Sequence, residues 1–437
     1  MENVRPRSSG SERSSTEYTT KNERKSHMNI IKDRTLAKSG HEKINWVKSY
    51  MPVLSAIEKE FKKTQPFAGK KIAMSIHLEA KTAYLATVLK AGGADVYSTG
   101  CNPLSTQDDV AAALCDYGVN VFAIHGADEK TYTEHLTMAL SCHPDVMIDD
   151  GGDFIELLHG ACREYGDRLI GGCEETTTGI HRLRQREAKG ELDYTMIDIN
   201  DADCKHLFDN RYGTGQSTLD AIMHTTNLVI AGKKAVVAGY GWCGKGIARR
   251  LAGMGAVVIV TEINPVRALE AVMDGFMVMP MDEAAAIGDL FITATGCKDV
   301  IVKRHFEKMK DGVLLANAGH FNVEINKDDL LCLSVKNEER KPSIEGFTMA
   351  DGRILNLLAD GRLVNLAAGN GHPAEIMDMS FALQAKCLEY LAKNPGLAHK
   401  LYAVPVETDI AVAKMKLAKT SVSIDTLSAE QKEYLGY

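Results

Sequence analysis

Apolar and polar positions follow two rhythms along this chain, and the two keep exchanging places. Between Asp33 and Phe67, Ile44, Val47, Met51, Leu54 and Ile57 recur at helix spacing, and Pro52 predicts a kink or break. Short apolar runs then read as strands: KIAMSIHL (71–78), ADVYSTG (94–100), NVFAIHG (120–126), DVMIDDG (145–151), RLIGGCEE (168–175) and YTMIDIN (194–200). Helical patterns separate them, so the stretch predicts a mostly parallel sheet covered by helices. A polar bridge (200–217) and a helix (219–232) lead to further strand runs at 235–238, 257–260, 276–280, 289–296 and 312–319. A short β section (346–369) follows, then a helix from about Pro373 to Leu391 that is expected to return to the first sheet. VETDIAVAKMKLA again has helical spacing, and no internal repeat is detectable.

The run Lys233–Glu262 carries a chemical signal as well as a structural one. Gly239, Gly241 and Gly244 follow the first strand at G-x-G-x-x-G spacing, a helical segment follows them, and the second strand closes on Glu262, 21 residues after Gly241. Gly239 permits the tight turn, Gly241 lets backbone approach a pyrophosphate, and Gly244 lets helix and sheet pack closely. Free N–H groups at the helix start attract the phosphates. Glu262 is placed to accept from a ribose diol and to repel a 2′-phosphate, so the unit predicts NAD rather than NADP.

The chain has 437 residues, enough for two or three domains, and its 25% charged and 45% hydrophobic content is that of an ordinary soluble protein. A net charge of −7 argues against a nucleic-acid surface, and no run of about 18 apolar residues predicts a membrane span. The first 27 residues are polar and predict a disordered tail. Ten scattered cysteines without a C-x-x-C pair fit reduced thiols in a cytoplasmic enzyme, and neither they nor any H-E-x-x-H indicate a metal.

Ligands of open parallel sheets bind outside the C-terminal ends of the strands. Polar residues collect there: His77 and Glu79; Asn102, Ser105, Thr106, Gln107 and Asp108; Asp149, Asp150 and Asp153; Glu174, Glu175 and Thr176–Thr178; Asn200 and Asp201. Together they predict a shared substrate cleft, although Ser105 and Asp153 also suit helix caps. Lys205 and Asp209 are four apart on a predicted helical turn, as an exposed ion pair or as part of that cleft.

Ten segments then converge: HLEAKTA (77–83), CNPLSTQDD (101–109), DDGGD (149–153), EETTTG (174–179), FDNRYG (208–213), AGYGWCGKG (238–246), TGCKD (295–299), NAGHF (317–321), RLVNLA (362–367) and GHP (371–373). In this order they resemble the S-adenosylhomocysteine hydrolase family over about residues 42–435. The resemblance implies an α/β fold with two doubly wound parallel-sheet domains, plus a short C-terminal helical segment. It assigns 28–215 and 370–410 to a substrate domain, 216–369 to an NAD-binding Rossmann domain, and 411–437 to oligomerisation, with a homotetramer as the family's assembly.

The reaction implied is reversible hydrolysis of a nucleoside thioether to homocysteine and nucleoside. NAD oxidises the 3′-hydroxyl, which acidifies the C4′ proton; sulfur leaves, water adds, and re-reduction restores the cofactor. By similarity, Lys205 takes the 3′-hydroxyl proton, which requires a lowered pKa, and Asp209 holds the sugar hydroxyls. Asp150 acts at C4′, and His77 is acid and base near C5′. Glu175 and Thr176 hold the ribose or steer Lys205, Asn210 braces the nicotinamide end, and His320 and His372 close over the sulfur and the base. Thr176, Thr177, Thr178, Trp242, Cys243, Thr295, Ala318, Gly319, His320, Asn365 and His372 join Asn210, Gly239, Gly241, Gly244 and Glu262 around the cofactor.

Three departures from the family pattern bear on function. The family's H-M-T-V-E-T reads His77-Leu78-Glu79-Ala80-Lys81-Thr82 here, placing Glu79 and Lys81 near the purine edge. An ammonium donates to a 6-oxo group, whereas a carboxylate accepts from a 6-amino group. Asn370 replaces a methionine that packs on the base. The substrate is therefore either S-inosylhomocysteine, or the adenosyl compound with Lys81 pointing outward. Many members also carry a tail that reaches a neighbour's NAD, whereas this sequence ends at Tyr437, which predicts looser NAD retention. Arg267, often asparagine, compensates from the adenosine side or lies on the surface. Two other classes share parts of the plan: a net 2-hydroxyacid-type dehydrogenase and a catalytically silent NAD-binding regulator.

Overall fold

The computed structural model describes residues 29–436, so the predicted tail lies outside the described residues. The first sheet has eight strands in the spatial order Ile30–Ile31, Asn120–Ala123, Asp95–Thr99, Lys71–Ser75, Val146–Asp149, Gly171–Glu174, Met196–Asp198 and Leu401–Ala403. Every pairing in it is parallel. Neighbouring side chains along its strands enter different cores: Ile72, Met74, Val146 and Ile148 face one cluster, and Ala73 and Met147 face the other. Both faces are thus covered, as parallel sheets require.

Chain order reverses between Lys71–Ser75 and Val146–Asp149, which makes their C-terminal ends the ligand-binding switch point. The register sets Ser75 beside Asp149, Asp149 beside Glu174, and Glu174 beside Asp198, so acids line that edge.

The second sheet runs Met277–Val278, Val257–Thr261, Lys234–Ala238, Leu290–Thr293, Leu314–Asn317, Ile354–Leu358, Ile344–Met349 and Ser334–Lys341. It is parallel through Ile354–Leu358 and then ends in antiparallel strands. Its switch point lies between Lys234–Ala238 and Leu290–Thr293, where the glycine loop and Thr295 emerge.

The break predicted at Pro52 is present and divides the helical stretch over 33–67 into Ala37–Ser49 and Pro52–Thr64, with Pro52 at the N-terminal position where its missing N–H costs nothing. The charged edge strand Ser334–Lys341 and the short strands Ile30–Ile31 and Leu401–Ala403 were not legible as apolar runs. Helix Ala374–Lys393 returns to the first core through Met377, Phe381 and Leu388. On it, buried Asp378 accepts from Val53 N (3.1 Å), Leu54 N (2.8 Å) and Lys416 Nζ (3.0 Å), joining three helices. Asp378→Ala leaves two buried N–H groups without their acceptor and takes the carboxylate from Lys416, which keeps only the Glu375 carbonyl, so it is expected to destabilise by about 3 kcal/mol, seen as a lowered Tm. Asp378→Asn keeps one acceptor and should fall between the two.

Candidate active site

At the first switch point the DDGGD turn depends on Gly151 and Gly152, at φ 109° and 83°. Asp149 bonds Phe154 N (3.3 Å) and Ile155 N (2.9 Å) and so caps helix Asp153–His159. Asp153, a candidate cap from sequence, instead pairs with Arg182 at 2.9 Å. Asp150 is thereby free to face the cleft. Its carboxylate lies 3.6 Å from His77 Nε2, 3.8 Å from His320 Nδ1, and within 3.3 Å of the Cys101 thiol. His320 comes from the second sheet's Leu314–Asn317 end, and a Cβ on Gly151 would sit 2.5 Å from its Nε2. Glycine is what lets the second sheet's histidine reach the first sheet's acid.

Ser105 is not a cap either. Its hydroxyl donates to Asn102 O (2.8 Å) and lies 2.7 Å from His77 Nδ1. Nδ1 therefore carries the proton, and Nε2 is the basic nitrogen toward Asp150. Burial pushes the imidazole down to about 4, against the pull of Asp150, so at neutral pH it is an uncharged base.

A second cluster surrounds Lys205. Its turn is a π-helix, His206–Gly213, and the five-residue spacing brings Nζ to Asn210 Oδ1 at 2.6 Å. Asp209 and Glu175 each lie 3.8 Å away, and Asn200 3.3 Å away. The predicted lysine–aspartate pair is thus buried, and its nearest partner is Asn210. Behind it, Ser380 Oγ donates to Asp209 (2.7 Å) and Gln384 Nε2 to Glu175 (2.6 Å).

Burial alone would lower the Lys205 amine, but Asp209 and Glu175 hold it above the ordinary lysine range. The lowered pKa predicted from sequence is corrected accordingly: burial does act in that direction, but the acids beside the amine outweigh it. Burial also opposes the charge on Asp209, yet Lys205 and His372 keep its carboxyl well below the usual range. Burial pushes the Glu175 carboxyl up to about 8, against the pull of Lys205.

His372 pairs through Nδ1 with Asp209 and through Nε2 with Thr214 Oγ1 at 3.2 Å, on the Lys205 side of the cleft. Lys81 is buried rather than turned outward, and its Nζ bonds Glu79 Oε2 (2.7 Å) and Asn370 O (3.0 Å). Glu79 is also a helix cap, accepting from Lys81 N and Thr82 N. The Asn370 backbone, not its exposed side chain, joins this group.

The second switch point fits a dinucleotide. Gly239 has φ 93°, a Cβ on Gly244 would lie 1.9 Å from Gly239 O, and a Cβ on Gly241 would meet only Arg267 Nη1, at 3.9 Å. The start of helix Trp242–Gly253 has no side-chain cap, so its N–H groups face that opening. Glu262 is held by Tyr240 N (2.7 Å), Ile263 N (2.7 Å) and Asn264 N (2.9 Å), which, against burial, keep it ionised. Exposed Arg267 thus reaches over the glycine loop. Trp242 stacks near His206 (5.0 Å between centroids), and Cys243 Sγ accepts from Thr214.

Asn365 Nδ2 donates to Ser217 (2.9 Å), while its buried Oδ1 has no partner among the described residues. Such an atom suits the carboxamide of a nicotinamide. Thr177 donates to Asn200 (3.2 Å) at the start of helix Thr177–Lys189, with Thr176 and Thr178 on either side. Ala318 and Gly319 follow strand Leu314–Asn317, and Gly319 N bonds Asn317 Oδ1 at 2.7 Å. Thr295 is fixed by a residue that the sequence reading missed: buried Glu324 accepts from Thr295 N (3.0 Å), Thr295 Oγ1 (2.7 Å) and Gly296 N (2.9 Å). Its only sequence signal is an acid between Val323 and Ile325. Ser380 and Gln384, polar residues four apart on a buried helix face, gave a clearer one.

The chain matches the model of the S-adenosyl-L-homocysteine hydrolase NAD binding domain over residues 210–371 and that of S-adenosyl-L-homocysteine hydrolase over 28–170. The "Adenosylhomocysteinase" of Thermococcus kodakarensis is 56% identical over 93% of this chain and 96% of its own. This chain belongs to the S-adenosyl-L-homocysteine hydrolase family. The "S-inosyl-L-homocysteine hydrolase" proteins of Methanococcus maripaludis and Methanocaldococcus jannaschii are each 54% identical, over 93% of this chain and 98% of theirs. NAD is the family's cofactor, and the second sheet is the part that its NAD-binding model covers. No helix among the described residues is long and apolar enough to cross a membrane.

Glu324→Gln replaces one of two accepting oxygens with an amide donor facing N–H groups. It is expected to weaken NAD binding on the order of tenfold, measured by titrating cofactor-free protein and following tryptophan fluorescence. Unchanged affinity would show that Glu324 does not hold the Thr295 turn for the cofactor.

Proposed function

We propose that this chain hydrolyses a homocysteine thioether of a purine nucleoside through transient oxidation at C3′ of the sugar. The observation that carries the reading is the joining of a buried lysine–carboxylate group at one sheet to a His77–Asp150 pair completed by His320 from the other. The relatives' names, adenosylhomocysteinase and S-inosyl-L-homocysteine hydrolase, support the same reaction class.

When bound, NAD supplies a reversible acceptor for the C3′ hydrogen. Gly239, Gly241, Gly244, Glu262, Arg267, Thr295 and Asn365 hold it. Lys205, oriented by Asn200 and Asn210, takes the 3′-hydroxyl proton. Asp209 and Oε1 of Glu175, which has no hydrogen bond among the described residues, accept from the sugar hydroxyls. Ketone formation at C3′ acidifies C4′, and Asp150 takes that proton. His77 Nε2, 3.6 Å from Asp150, relays it to the departing sulfur. Water adds at C5′ by the reverse relay: His77 takes its proton, and Asp150 returns one to C4′.

The purine is the 6-oxo form. Lys81 is turned inward with two partners among the described residues for its three N–H groups, while Glu79 is engaged by Lys81 and the helix start. The substrate domain comprises 28–215 and 370–419, since helix Val406–Lys419 buries Val412 in its core rather than ending at 410; the NAD domain is 216–369, and the segment after 419 serves oligomerisation in a cytoplasmic homotetramer.

Homocysteine release from the inosyl thioether should exceed that from the adenosyl thioether in kcat/KM by on the order of 10², and Lys81→Met should remove the difference. An adenosyl preference in the wild type would refute the assignment. Because Lys205 acts as a base and its folded pKa is raised, its active form grows as pH rises. Stopped-flow reduction of the bound cofactor should therefore quicken from neutral to alkaline pH, and a rate that falls over that range contradicts the role of Lys205.

A further inference from the structure

Lys205 stands at the end of a short turn, Asp203–Lys205, whose preceding residue, Ala202, offers no capping side chain. Its first N–H groups are bonded from more than 200 residues away. Asp409 Oδ2 accepts from Asp203 N at 2.8 Å, and Oδ1 accepts from Cys204 N at 3.0 Å. The Asp409 backbone carbonyl also accepts from the Cys204 thiol at 3.4 Å. Two adjacent backbone groups and one side chain immediately before Lys205 are thus held by one residue of helix Val406–Lys419.

That helix is itself fixed. Val412 is buried in the first core, and Lys416 reaches Asp378 inside the protein. Past Cys204 the chain passes straight into the π-helix that matches Lys205 to Asn210. No flexible residue intervenes between the Asp409 carboxylate and the lysine, so a displacement of Asp203 and Cys204 moves the amine relative to Asn200, Asn210 and Asp209. Reacting groups tolerate little such movement, since about 1 Å of misplacement can cost on the order of 10²-fold.

We infer that Asp409 is a positioning residue for the reaction: its carboxylate sets the turn that aims Lys205, and so ties the C-terminal helix to the first chemical step. The inference rests on the reading of Lys205 as the base at the 3′-hydroxyl, and the test separates the two. NAD-loaded protein is mixed with substrate, and near-ultraviolet absorbance of the reduced nicotinamide gives the rate of 3′-oxidation.

Asp409→Ala should slow that step by on the order of tenfold to a hundredfold, with KM and NAD content within about twofold of wild type. Asp409→Asn, which keeps one accepting oxygen, should recover part of the rate. Leu140→Ala opens the other core of the first sheet without touching helix Val406–Lys419, so it should lower Tm yet oxidise at the wild-type rate below its melting range. Wild-type oxidation by Asp409→Ala, or an equal slowing by Leu140→Ala, overturns the inference. Lys205→Ala is the separate control: if it oxidises normally, the assigned base is wrong, whatever Asp409 does.

Discussion

An ammonium buried like that of Lys205, only 4% exposed, is tolerable only where carboxylates and hydrogen-bond acceptors surround it. Its partners come from separate places: Glu175 at the end of strand Gly171–Glu174, Asn200 beyond Met196–Asp198, and Asp209 and Asn210 on its own π-turn. The carboxylates need support in turn, and Ser380, Gln384 and His372 supply it. Those three lie after the whole second sheet in the chain. Returning helix Ala374–Lys393 to the first core therefore serves packing and charge together, and the NAD-binding sheet is held between the lysine and the residues that stabilise its partners.

The same constraint explains how two sheets make one site. Each presents its switch point, the first through His77 and Asp150 and the second through the glycine loop. His320 crosses from one to the other and fits because Gly151 has no side chain. Where the chain re-enters the first domain, Asn370 O meets Lys81. Lys81, Asp209 and His77 are therefore held by Asn370, His372 and His320, residues that lie in or just after the second sheet's part of the chain.

Much of this was legible beforehand. Apolar runs located most of the strands because parallel strands buried on both faces must be apolar throughout, and the glycine spacing located the cofactor loop. Ser334–Lys341 escaped because an edge strand is stabilised by its one neighbour and tolerates charges, and Ile30–Ile31 and Leu401–Ala403 are too short to show a period. Distant partnerships escaped for another reason. Glu324 at Thr295, Asp409 at Cys204 and Asp149 as a cap are set by tertiary placement, which local spacing does not encode. The direction of the Lys205 shift depended on the balance between burial and two nearby acids, and only geometry decides that balance.

The central claim is that hydrogen leaves C3′ and returns to the same carbon within one turnover. Turnover of the thioether deuterated at C3′, followed by mass and proton spectra of the product nucleoside, tests it directly. The account predicts that the product keeps deuterium at C3′ while C4′ acquires hydrogen from solvent. Product lacking the C3′ label, or made without solvent hydrogen at C4′, would contradict it.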